Sequence, residues 1–152
     1  MKRLIATVVV LMATASLAIG TGGASGATRS AGRGATVATA ASSLGRVLVD
    51  SRGRTLYLFE KDKRGRSACS GTCATYWPPL ITKGTPIAVR GVERSLLGLA
   101  RRADGTSQVT YGGHPLYLFV QDTKPGQTRG QDLHDFGAAW YVVSPAGKKI
   151  EG

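Results

Sequence analysis

The densest apolar run past residue 30 is Leu56-Tyr57-Leu58-Phe59, and it returns as Leu116-Tyr117-Leu118-Phe119. On a strand, Tyr57 and Phe59 point to one face while Leu56 and Leu58 point to the other. Both faces are apolar, which predicts central strands covered on both sides. The surrounding pattern reads as hairpins: a strand over Arg46–Asp50, a turn at Ser51-Arg52-Gly53 and a return over Thr55–Glu60. Later, Leu97–Arg102 and Ser107–Tyr111 flank the turn Ala103-Asp104-Gly105-Thr106, Pro115–Val120 follows Gly112-Gly113, and a last strand covers Ala139–Val143. Helical period is scarce. One or two turns fit Gly71–Trp77, stopped by Pro78-Pro79, and another fits Glu93–Leu97.

The two runs belong to a longer repeat. At a constant offset of 60, Val49 falls on Val109, Gly53 on Gly113, and Tyr57, Phe59 and Asp62 on Tyr117, Phe119 and Asp122. The spacing then loosens, but a Trp follows in each copy, Trp77 and Trp140. Two copies are too few for a solenoid. The predicted fold is all-β or β-dominated: two duplicated β-hairpin units sharing one core, with one or two short helical turns.

The N-terminal pattern differs. Met1-Lys2-Arg3 precedes an uncharged apolar stretch, Leu4–Gly20, and then small residues, which reads as a signal peptide over 1–27 cleaved between about Ala18 and Ala27. The stretch is short and diluted for a transmembrane anchor, so no membrane span is expected in the mature chain. Residues 28–43, rich in Gly, Ala, Ser and Thr, read as a flexible tether. A single β domain is expected over 44–150, its repeats covering about 44–85 and 95–145.

Charge narrows the partners. Lys and Arg number 20 against 9 acidic residues; loss of Lys2 and Arg3 with the signal leaves 18, a net charge of +9. For an exported chain the matching partners are anionic cell-wall polymers or lipid head groups, and no nucleic acid is expected.

The candidate chemistry is sparse. Tyr57, Phe59, Tyr117, Phe119, Trp77 and Trp140 read as core, or alternatively as a ligand-stacking platform. Asp62 and Asp122 stand past the strand ends, each with a Gly three or four residues on, where a carboxylate accepts backbone N–H groups and closes its loop. A metal or cation site is the alternative. Cys69 and Cys73 are the only cysteines. In an exported protein they suit a disulfide, worth about 2 kcal/mol for so short a loop. The other reading is a Cu(I) or redox site completed by His114 or His134, since thiolates are soft ligands. The chain carries no G-x-S-x-G, no H-E-x-x-H and no Gly-rich phosphate loop leading into a helix.

These residues resemble a known family. Leu56–Asp62 and Tyr117–Asp122 are similar to the Y-x-[FWY]-x-x-D repeat of secreted bacterial proteins described as predicted lipoproteins, and Cys69–Leu80 resembles the family's C-x-G-x-C-A-x-x-W-P-P-L stretch. The resemblance spans about Leu44–Val143. It implies a secreted, cell-envelope repeat protein of unknown function and no particular reaction. The chain departs from the family name in having no lipobox cysteine near the expected cleavage region, so secretion without a lipid anchor is expected. The leading expectation is a non-enzymatic envelope module with no cofactor. A copper-binding or redox accessory comes second and a hydrolase of wall glycans third.

Overall fold

The computed structural model describes residues 33–152. The predicted signal peptide and the first part of the predicted tether lie outside the described residues. The strands are β1 (Thr36–Ser42), β2 (Gly45–Asp50), β3 (Tyr57–Phe59), β4 (Ile81–Thr82), β5 (Ile87–Ala88), β6 (Leu97–Arg101), β7 (Ser107–Tyr111), β8 (His114–Pro115), β9 (Leu133–Asp135) and β10 (Ala138–Val142). A short helix, α1 (Thr72–Tyr76), and a 3-10 turn, Arg94–Leu96, complete the described elements. They form three small sheets, ordered β2-β1-β5, β3-β10-β9 and β4-β7-β6, with β8 beside β7.

One boundary is corrected. Thr36–Ser42 is not tether but strand β1, paired antiparallel with β2 from Val37↔Asp50 to Ser42↔Gly45. Ladder pairing uses backbone groups and needs no large side chains. Here the small side chains are what fits: Val37 is fully buried in one core cluster, while Ala38 and Ala40 pack against the other.

The two copies are interlocked rather than stacked side by side. Tyr57 and Tyr117 face each other and exchange both backbone hydrogen bonds, each 2.9 Å, at an approximate two-fold axis. Each copy then gives its closing segment to the other. Leu80 of the first copy donates to Leu116 O and accepts from Val109 N, both 2.9 Å. Val143 of the second donates to Leu56 O at 3.2 Å and accepts from Leu48 N at 2.9 Å. The predicted strand over Pro115–Val120 is ladder only at His114–Pro115. Opposite Tyr117 and Leu118 stand Pro79 and Pro78, which have no N–H to return, so only their carbonyl side is used, as in Leu118 N to Pro78 O at 2.8 Å.

The two-faced strands separate two layers of core. Tyr57, Phe59, Tyr117 and Phe119 enter one cluster with Trp77, Trp140, Val47 and Val49. Leu56, Leu58, Leu116 and Leu118 enter the other with Val37, Leu48, Leu80, Val109 and Val143. Both layers draw on both copies.

Candidate functional site

The repeated Tyr and Asp pair crosswise between the copies. Tyr57 Oη donates to Asp122 Oδ2 at 2.5 Å, and Tyr117 Oη to Asp62 Oδ2 at 2.8 Å. The other carboxylate oxygen closes the local loop: Asp62 Oδ1 accepts from Ala68 N at 2.7 Å and Asp122 Oδ1 from Arg129 N at 2.9 Å. Turns from Phe59 to Asp62 and from Phe119 to Asp122 position the two carboxylates. The copies differ in what meets the phenol oxygen: Gly130 N donates to Tyr57 Oη at 3.2 Å, whereas Ser67 Oγ lies 2.7 Å from Tyr117 Oη.

Burial raises both carboxyl groups above the ordinary range. Asp62 reaches about 6, held back by the Ala68 N–H, the Tyr117 hydroxyl and the charge of Arg102. Asp122 is also raised, against the Tyr57 hydroxyl and the Arg129 N–H. Burial first, and then the neighbouring carboxylates, push Tyr57 and Tyr117 far upward. Both phenols therefore stay protonated and serve as donors.

The aromatic residues form a four-ring stack across the axis. Phe59 lies on Trp140 at 4.0 Å, Trp140 on Trp77 at 3.9 Å, and Trp77 on Phe119 at 4.2 Å. Tyr57 meets Trp77 edge-on and Tyr117 meets Trp140 edge-on. All six residues are buried, so none offers a ring face to a ligand. The stack leaves Trp77 Nε1 buried without a partner, while Trp140 Nε1 donates to Asp135 O at 3.1 Å. Gly130 makes the packing possible, because a Cβ there would come within 2.6 Å of Trp77 and 2.9 Å of the Tyr57 ring.

Cys69 and Cys73 are joined as a disulfide with Cα atoms 5.3 Å apart, spanning the start of α1. Beside it, Arg102 Nη1 donates to Ser67 Oγ at 2.9 Å and Gln108 Oε1 at 2.7 Å, and Nη2 donates to Cys69 O at 2.8 Å. A cavity of about 610 Å³ opens against this loop, with Arg66 and Arg101 at its walls. A second groove, about 660 Å³, is lined by Glu60, Asp62, His114, Lys148 and Lys149.

The Cu(I) alternative is not assembled. The sulfurs are bonded to each other, His114 lines the second groove, and His134 stands on exposed β9 with Nε2 3.5 Å from Asp132 Oδ1. Among the described residues no three His, Cys, Asp or Glu side chains converge on a metal-sized site. Burial, followed by the charge of Arg64, lowers the His114 pKa.

Arg102, Gln108 and Ser67 were not singled out by sequence reasoning. One signal was present: Gln108 lies inside a short predicted strand, Ser-Gln-Val-Thr-Tyr, where it is fully buried. A buried amide demands partners. Its Nε2 donates to Leu116 O at 2.8 Å, and its Oε1 receives Arg102.

A family model described as a secreted repeat of unknown function matches residues 38–81 and 98–144, so each match ends with the segment that its copy gives to the other. No curated protein and no solved structure matches the chain.

Proposed function

We propose that this chain, which belongs to the family of secreted repeats of unknown function, is a non-enzymatic envelope module that binds anionic wall or membrane polymers through its basic surface. One observation carries the reading. Arg46, Arg52, Lys61, Lys63, Arg64, Arg66, Lys83, Arg90, Arg94, Arg101, Lys124, Arg129 and Lys148 are exposed, and none has a carboxylate within salt-bridge distance among the described residues. Uncompensated charge of one sign draws a polyanion from solution and is screened by salt. Export by residues 1–27 places the protein where such polymers are found. No helix among the described residues is long and apolar enough to cross a membrane, so attachment rests on surface contacts in this reading.

The test is equilibrium binding of the secreted protein to anionic polymer and to acidic vesicles across a salt series. Binding should be strong at low salt and fall steeply towards about 1 M, where the screening length is roughly 3 Å. Binding that does not change with salt, or none at low salt, refutes it.

A further inference from the structure

The cavity at the disulfide loop holds a buried cation whose hydrogen bonds all go to uncharged groups and whose nearest carboxylate is exposed. The Arg102 side chain is only 8% exposed. Its three hydrogen bonds go to a hydroxyl, an amide oxygen and a backbone carbonyl, all uncharged. The carboxylate at salt-bridge distance is Asp104, whose Oδ2 lies 4.0 Å from Nε on a side chain 61% exposed. Asp62 acts on Arg102 only from a distance, with Ser67 bonded to both Tyr117 and Arg102 between them.

A guanidinium has five N–H bonds. Nη1 uses two and Nη2 one, so the unused donors sit on Nε and Nη2. These adjacent nitrogens form the fork that grips an oxyanion side-on. Nε is buried without a partner, which is rare for a donor in a folded interior. Arg66 and Arg101 line the same cavity and are exposed, with no carboxylate at salt-bridge distance among the described residues. Arg101 adjoins Arg102 at the end of β6 and Arg66 comes from the loop before the disulfide, so three guanidinium groups from two segments line one cavity. Guanidinium groups match phosphate oxygens, and three of them in one cavity suit a polymer that carries a charge on each repeat better than a lone anion. A volume of about 610 Å³ far exceeds a bare anion, and the exposed Ser70 on the lining offers a hydroxyl group to a polar ligand.

We propose that this cavity binds the phosphodiester groups of a polyol-phosphate polymer, one phosphate at the Arg102 guanidinium and the neighbouring phosphates at Arg66 and Arg101. The inference rests on the anionic-polymer reading above and gives that reading a site. Asp104 opposes binding: its carboxylate stands 4.0 Å from Arg102 Nε and repels the phosphate. Its Oδ1 accepts from Thr106 N and Oγ1, and an amide oxygen can keep both bonds, so Asp104→Asn removes charge without opening the turn.

The experiment is calorimetric titration of the mature secreted protein with poly(glycerol phosphate) at low salt. Arg66→Gln and Arg101→Gln should each weaken binding about fivefold or more, and each should lower the slope of log affinity against log salt by about one. Asp104→Asn should tighten it several-fold. Arg90→Gln, which removes the same charge outside the cavity, should change it less than twofold. Equal losses in all three Arg variants would overturn the cavity assignment and leave the basic-surface reading standing. Absence of binding in the wild type would overturn both. Tighter binding of polygalacturonate, or of phosphatidylglycerol vesicles, through the same residues would overturn the choice of a polyol phosphate.

Discussion

Removing the Tyr57 hydroxyl should cost more than a lone surface hydrogen bond, because it strips two buried groups at once. In Tyr57→Phe, Asp122, only 4% exposed, loses a 2.5 Å donor, and the buried Gly130 N–H loses its acceptor. A hydrogen bond to a charged acceptor contributes about 1.5–3 kcal/mol, and a buried donor left bare costs about 1–3 kcal/mol. The expected loss is therefore about 3–5 kcal/mol, read from urea unfolding. The crossing itself is tested by double-mutant cycles. Tyr57→Phe with Asp122→Asn joins residues of different copies and should show a coupling of about 1–3 kcal/mol. Tyr57→Phe with Asp62→Asn joins residues of one copy whose side chains share no hydrogen-bond partner, and should be additive within about 0.5 kcal/mol. Coupling within a copy that equals or exceeds coupling between copies would refute the crossed arrangement.

Three further outcomes follow from the same geometry. Gly130→Ala forces a Cβ to within 2.6 Å of Trp77 and should destabilise by about 1–3 kcal/mol, with a change in tryptophan fluorescence; a neutral result would contradict the close packing. Asp62, raised to about 6 from 3.8, binds more protons folded than unfolded between those values, so its contribution favours the fold at low pH and fades as pH rises from about 4 to 6. Wild type should therefore lose stability relative to Asp62→Asn across that window, by less than about 3 kcal/mol, since the carboxyl is partly wet; a relative gain would reverse the argument. Reducing the Cys69–Cys73 disulfide should lower stability by about 2 kcal/mol and leave the sheet signal in circular dichroism intact.

What the sequence reveals here is mostly local. A strand apolar on both faces had to be covered twice, and Leu56–Phe59 and Leu116–Phe119 do lie between two layers. The break at Pro78-Pro79 does end a helical turn, α1. The exchange of closing segments was not legible, because Leu80 and Val143 look equally able to pair within their own copy. Only three-dimensional register decides that Leu80 meets Val109 and Leu116. The Tyr–Asp crossing depends on that same long-range register, so the spacing of Tyr57 and Asp62 suggested a loop closure but not its partner. Strand β1 was hidden for another reason. Its small residues resemble linker composition, and its order comes from pairing with β2. The burial of the Arg102 side chain was not legible either, because its contacts to Ser67 and Gln108 lie 35 and 6 residues away.

Fragment complementation measures the interlock most directly. If each copy is completed by the other's closing segment, a chain of residues 33–90 and a chain of residues 91–152 should each be unfolded alone, with collapsed amide dispersion in NMR spectra. Mixed in equal amounts they should recover the dispersed spectrum of the intact protein, including the shifted indole resonances of the Trp77–Trp140 stack. A fragment that folds on its own, with its closing segment paired to its own hairpin, would contradict the exchange.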